Sequence, residues 1–455
     1  MYDVIVVGGG ISGAMAAIAS ARAEAKTLLV EQYGFLGGML TASGVGPMMT
    51  FHAGGKKVVQ GITDELITRL TDKGYSTGHI FDTTGYTYTV TPFDAEGLKM
   101  ELENMLLEAG GEILYHTMLA GVTVEDGCIR SIKVCNKAGL TDLYAKVFVD
   151  ATGDADLAAW AGVRCTKGRE IDGASQPMTM KIRMNNVNID EIKKFIKENP
   201  DEFPRLNGDT DIVDKAPRLS IGGFVKTLEK ARQNGEITFK REDVLFFETN
   251  NPGEVIVNTS RVLGCDSTEP WSLSKAEIEG RKQAEQLVVF LRKRVAGFKD
   301  AQVLYTGPFI GVRSSRQIVG LYTLTKEDIL NCTKFEDVIA HSGYPIDIHP
   351  PEGEKPKSEN NEHLEENMKH WGEVRNLPYR CLVNKEIYNL ITVGRCVSVT
   401  FDALGAFRTT PFAGAIGHAG GVAASITAKT GGKAAEINIG HLHAMLRKQG
   451  GYLEI

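Results

Sequence analysis

Hydrophobic and polar positions along this chain repeat with two periods, and the places where one gives way to the other mark out its elements. Residues 3–7 form a short apolar run of the kind a strand buried on both faces requires, with glycines from Gly8 to Gly13 and an alanine-rich helical segment behind it. A second apolar run, Thr27-Leu28-Leu29-Val30, ends at Glu31. Residues 58–74 carry helical spacing, and the Thr- and Tyr-rich stretch 83–91 predicts a strand or hairpin. Asp94 predicts the N-cap of a helix through Leu107 that Gly110-Gly111 stops. Strands follow at 112–115, 121–124, 129–134 and 145–149, read as a small antiparallel sheet joined to a returning strand.

Residues 166–384 differ in character, with mixed strands and longer polar loops. Two helix starts stand out there: Ser274 with Glu277 as a capping box before an amphipathic helix to Arg294, and Thr325 with Asp328. Pro350 to Glu366 predicts an exposed loop. A last apolar strand, 389–393, runs into Gly394 and Arg395, and Pro411 opens a helix whose small residues would let it press against a planar ligand. The expected fold is α/β: a discontinuous Rossmann-type domain from 1–50, 93–165 and 385–435, an inserted α+β substrate domain from 51–92 and 166–384, and a tail at 436–455.

A length of 455 residues agrees with two or three domains, and 42% hydrophobic residues can fill them. The net charge of −6, with basic residues scattered, gives no footing for nucleic acid or an anionic membrane. A strand starting at residue 3 leaves no room for a signal segment, and no apolar run suits a bilayer, so a cytoplasmic protein is expected. Seven cysteines without a CxxC pair read as reduced thiols, which argues against thiol–disulfide chemistry. No metal site is expected; His441 and His443 alone supply too few ligands.

The opening strand, glycine loop, helix, strand and acid have the order of a dinucleotide site. Gly8 permits the tight turn, Gly10 lets the backbone approach a pyrophosphate, and Gly13 lets helix lie close on strand. Glu31, roughly 20 residues on, can accept hydrogen bonds from ribose hydroxyls. Small residues at Ala151, Thr152 and Gly153 would let a second strand end approach the same cofactor.

With Gly37-Gly38-Met39, Asp150 to Asp156, Ile310 to Arg316, Gly343 to Asp347, Pro378-Tyr379-Arg380 and Val393-Gly394-Arg395 leading to Pro411, the chain resembles the FAD-dependent oxidoreductases of the glutathione-reductase-like superfamily over nearly its whole length. The resemblance implies noncovalent FAD, contacted by Gly8, Gly10, Ile11, Ser12, Gly13, Glu31, Gln32, Gly37, Gly38, Met39, Leu119, Ala120, Ala151, Thr152, Gly153, Gly394, Arg395, Pro411, Phe412 and Ala413. It places the start of the Pro411 helix at the flavin N1/O2 edge, where a positive dipole stabilises the reduced anion. Arg395 stands where disulfide-reducing relatives carry Asp, which suggests a phosphate pairing in place of a ribityl contact. No second glycine fingerprint follows a strand, so the expected exchange of electrons is with a small-molecule substrate and a separate acceptor or donor; a homo-oligomer is left open.

Hydride chemistry belongs to the flavin, and the protein must orient a substrate and handle a proton. Arg313 and Arg316, in an apolar stretch, would either grip a substrate through the guanidinium fork or form buried salt bridges. His341, Tyr344 and His349, clustered with Asp347, would act as acid or base or simply hold a loop by hydrogen bonds. Tyr379 and Arg380 fall at the domain junction, and His52 is a candidate for flavin attachment or substrate contact. The expected reaction is C–H oxidation or C=C reduction; an O2-using oxidase or monooxygenase and an electron-transfer subunit are the rival readings.

Overall fold

A computed structural model describes residues 1–353 and 369–454. Five parallel strands form the central sheet in the order Leu390–Thr392, Ala145–Asp150, Tyr2–Val7, Thr27–Val30, Glu112–Leu114. Val4 and Val6 face a core shared with the helices Ile11–Arg22 and Thr410–Thr430, whereas Ile5 and Val7 face a second core with Ile129, Ile132 and Val134. Burial on both faces is why the strand shows no alternation.

The segment 112–115 departs from the sequence reading. Residues 112–114 pair in parallel with Leu28–Val30 at the edge of the main sheet, and the antiparallel meander is built from Met118–Glu125, Cys128–Asn136 and Gly139–Leu143. Asp94 caps the helix Ala95–Glu108 by accepting from the Glu96 and Gly97 amides, as its position predicts. Helix Ile62–Asp72 buries Ile62, Leu66 and Leu70 in the same core as the helices 11–22 and 95–108, although its sequence neighbourhood suggested the inserted domain.

A second, antiparallel sheet takes the order Ser220–Gly223, Val244–Glu248, Val255–Val257, Ile182–Asn185, Gln302–Thr306. Its core includes Ile182, Phe246, Leu287 and Phe290 from the sheet and the helix Pro270–Arg294. That helix starts a turn before Ser274, because the Glu269 carboxylate accepts from the Trp271 and Ser272 amides and Pro270 fits the first turn. Glu277 instead accepts from the Ile310 amide at 2.7 Å. Thr325 and Asp328 do form a reciprocal capping box. Most of the predicted 350–366 loop lies outside the described residues. Among the described residues no helix is long and apolar enough to cross a membrane.

Candidate functional site

One cavity of about 470 Å³ runs between the C-terminal ends of the parallel strands and the second sheet. Its first half is a cradle. Gly8, with φ +99°, could not carry a Cβ without meeting the Ala151 oxygen at 2.5 Å, and a Cβ on Gly13 would fall 1.8 Å from the Gly8 oxygen. A Cβ on Gly10 would meet nothing nearer than the Gly38 Cα at 3.9 Å, so its missing side chain leaves room on the cavity wall. The three glycines thus do three different jobs: turn, approach and helix-on-strand contact.

Glu31 is buried and accepts from the Gly9 amide at 2.5 Å and the Tyr33 amide at 2.8 Å. Burial raises its pKa above the usual carboxylate value, with those two amides opposing the rise. Thr117 and Leu119 wall the cavity beside it, the Thr117 amide donating to the Glu31 carbonyl at 3.0 Å. Opposite, Asp150 accepts from the Thr152 amide, the Thr152 hydroxyl and the Ala158 amide, which fixes the 151–154 turn against the cradle.

Most expected cofactor contacts line this cavity: Gly8, Gly10, Ile11, Ser12, Glu31, Gln32, Gly37, Gly38, Met39, Leu119, Ala151, Thr152, Gly153, Gly394, Arg395 and Ala413. Four do not. Gly13 faces the strand, as its role requires; Ala120 is the extra residue of a bulge between Leu119 and Gly121 and is exposed; Pro411 is buried in the first turn of its helix; Phe412 packs on Phe407 with ring centres 4.4 Å apart. Gly417 and Gly421 of the Pro411 helix serve a helix contact: a Cβ on them would fall 2.0 Å from the Ser12 oxygen or 2.1 Å from the Ala16 oxygen. From position 409 onward, Thr409, Thr410 and Ala413 reach the cavity. Arg395 pairs with Asp154 at 2.5 Å and donates to the Val312 carbonyl at 3.0 Å, leaving its Nε without a partner among the described residues.

The second half of the cavity is walled by Lys181, Arg313, Tyr344, Asp347, His349 and Arg408, with apolar surface from Met49 and Phe247. Asp347 is its hub: the Tyr344 hydroxyl donates to it at 3.3 Å, His349 Nε2 lies 3.2 Å away, and Arg408 donates at 2.7 Å. On the other side of His349, Arg261 sits 3.4 Å from Nδ1. A guanidinium can only donate, so this contact makes Nδ1 the acceptor and gives Nε2 the hydrogen that faces Asp347. Burial holds His349 well below the usual histidine value and Tyr344 well above the usual tyrosine value, so at neutral pH both are uncharged.

Arg313 lines this space and spends one nitrogen on the Pro177 carbonyl and the Thr179 hydroxyl, both at 2.6 Å. Arg316 does not line it; it pairs with Asp156 at 3.1 Å, the salt-bridge alternative. His341 is also elsewhere, its Nδ1 2.8 Å from the Asn376 side-chain oxygen and its Nε2 accepting from the Glu454 amide at 3.0 Å, so it ties the chain's end to the strand Val338–Ser342. His52 contacts Thr89, Tyr379 donates to the Ala434 carbonyl, Arg380 pairs with Asp337, and none of the three lines the cavity. Lys181 and Arg408 went unnoticed in the sequence. The readable sign for Lys181 was a cation between Met180 and Ile182 in the alternating run 178–184; for Arg408 it was a cation directly before the Thr409-Thr410-Pro411 helix start.

The model of a family described as FAD dependent oxidoreductase matches residues 3–446. No curated protein matches the chain. Among solved structures it is similar to a geranylgeranyl bacteriochlorophyll reductase-like protein from Thermoplasma acidophilum, at 13% identity over 98% of this chain and 83% of that one, with a TM-score of 0.48. It is also similar to p-nitrophenol 4-monooxygenase from Pseudomonas putida DLL-E4, at 10% identity over 99% of this chain and 80% of that one, with a TM-score of 0.45.

Proposed function

This protein belongs to the FAD-dependent oxidoreductase family and is an enzyme with FAD as its cofactor, and from that premise we propose that it moves a hydride between flavin N5 and a small organic substrate, at a C–H or C=C bond. The observation that carries the proposal is the continuity of the cavity: the glycine cradle opens directly into a compartment that holds an arginine, a tyrosine and a histidine. The glutathione-reductase-like subtype, and the division into a discontinuous cofactor domain and an inserted substrate domain, are part of the same proposal.

The residues present fit FAD. The space at Gly10, the start of the helix Ile11–Arg22 and the unpartnered Arg395 Nε suit a pyrophosphate, and Glu31 suits a ribose. Thr409, Thr410 and Ala413 would hold the far end. When bound, FAD supplies two-electron chemistry at its ring. The chain supplies the rest. Arg313 orients the substrate, Tyr344 holds Asp347 by the hydrogen bond it donates, and the neutral His349, whose tautomer Arg261 and Asp347 set, exchanges the proton once a substrate takes the place of one of those two contacts. With one glycine fingerprint in the chain, the second half-reaction is assigned to a separate electron acceptor or donor.

The test is an anaerobic screen in which the FAD-loaded protein meets hydroxy acids, unsaturated acids, amines and sugars while the flavin absorbance is followed, with the dithionite-reduced protein screened in parallel against unsaturated acids. Bleaching by one class, or reoxidation by the unsaturated acids, is the expected result. No response from any class in either direction would contradict the proposal.

A further inference from the structure

We infer, on the reading of the cavity as the site of a flavin enzyme, that its second compartment takes a small organic carboxylate, gripped by Arg313 and Lys181. Lys181, Arg313 and Arg408 line this compartment, and Asp347 is the acid among them. The other acids of the cavity are committed on the cradle side: Glu31 to the Gly9 and Tyr33 amides, Asp154 to Arg395, and Asp156 to Arg316. Asp347 in turn serves Arg408, His349 and Tyr344.

The hydrogen bonds of the Arg313 side chain go to neutral oxygens, those of Pro177 and Thr179, and the acid near it is Asp347, which Arg408 already holds. Lys181 is 6% exposed, and among the described residues its ammonium has no hydrogen-bond or ion-pair partner; it lies beside Gly311, where a Cβ would be 3.6 Å from it. A cationic group buried short of counter-charge is costly, and Arg313 and Lys181 both sit on a wall that a ligand can reach. A ligand carboxylate would satisfy the planar fork of Arg313 and the ammonium of Lys181 together. Met49 and Phe247 line the same cavity, which suits a carbon skeleton behind the carboxylate and argues for an organic anion over an inorganic one.

The same geometry couples binding to a proton. The charged and titratable groups near Lys181 are Arg313, Arg241 and Arg408, with Asp347, His349 and Tyr344 across the cavity. Burial first, and the three guanidinium groups after it, hold the Lys181 ammonium well below the ordinary lysine value. An arriving carboxylate favours the ammonium, so Lys181 takes up a proton from solvent on binding, and affinity falls as pH rises.

Titration calorimetry of the FAD-loaded protein tests this with propionate, succinate and benzoate, each against its amide, and with sulfate, in two buffers of different ionisation enthalpy. At least one carboxylate should bind tenfold or more tightly than its amide and than sulfate, with proton uptake. Lys181→Met and Arg313→Met should each weaken it at least tenfold, Lys181→Met should abolish the uptake, and Arg316→Met, outside the compartment, should bind as wild type. Because Lys181→Met removes a buried amine that has no hydrogen-bond or ion-pair partner among the described residues, the ligand-free holoprotein should melt no lower than wild type, which a structural lysine would not permit. Carboxylates no tighter than amides, sulfate as tight as the best carboxylate, or unchanged binding in Lys181→Met would each overturn the inference. These are binding measurements without turnover, so their failure leaves the oxidoreductase proposal to its own screen.

Discussion

Gly10 and Gly13 lie three positions apart, one just before the helix Ile11–Arg22 and one in its first turn, yet their substitution should fail in different ways. Gly10 has φ −60°, which any residue adopts, and open space where a side chain would go. Gly10→Val should therefore fold and melt as the wild-type apoprotein while losing FAD, because its side chain occupies the place of the pyrophosphate. Gly13→Val would drive a Cβ into the Gly8 carbonyl and should lose folding and cofactor together. Glu31→Ala should weaken FAD by roughly 1.5–3 kcal/mol, the scale of a hydrogen bond to a charged group. FAD content and apoprotein melting, measured on all three, separate these outcomes; normal FAD content in Gly10→Val would contradict the cradle. These positions were legible in the sequence because each answers a local backbone demand. The compartment was legible only in part: Arg313, Tyr344 and His349 sit where a polar cluster in an apolar stretch suggested, but Arg316 and His341, equal candidates by composition, found Asp156 and the Glu454 amide. Those partners are 160 and 113 residues away in the chain, and no local pattern records them.

At the scale of elements, the helices Ile11–Arg22 and Thr410–Thr430 carry the site. Gly417 and Gly421, four apart and so on one face, bring the second helix onto the backbone of the first at Ser12 and Ala16. The sequence showed the small residues but not what they touch, since a stripe that admits a helix and one that admits a flat ligand look the same. The crossing makes a prediction. Gly421→Ala puts a methyl 2.1 Å from the Ala16 oxygen, and overpacking of this kind costs about 1–3 kcal/mol. Because Ser12 and Ala413 line the cavity on the same two helices, FAD affinity should fall with stability. Thermal melts and FAD titration of Gly421→Ala against the exposed-site control Lys429→Ala check this; an unchanged melt would show that the helices do not meet as described.

Across the whole molecule, several ionisable groups are held in forms that water would not favour, and they set how stability depends on pH. Burial pushes His52 and His418 down to about 4, against an ordinary value near 6.5, so between these pH values the unfolded chain binds more protons than the folded one. Stability should fall as pH drops from about 6.5 towards 4. Asp156, raised by burial to about 6, acts with the opposite sign and offsets part of the loss as pH falls below that value. Melting of the holoprotein from pH 7 to 4.5 should show the decline, and His418→Gln, whose amide can still donate towards Gln449, should flatten it; a midpoint that rises on acidification would contradict the assignment. The central claim, that the compartment around Arg313 and His349 handles the substrate of an FAD enzyme, is tested most directly by stopped-flow reduction of the bound flavin with the compound class that bleaches it. Arg313→Lys and His349→Asn should slow reduction, His349→Asn by roughly 10²–10⁴-fold, at normal FAD content and melting temperature, while Arg316→Lys and His341→Asn reduce at the wild-type rate. Normal rates in the first pair, or slow rates confined to the second, would contradict it.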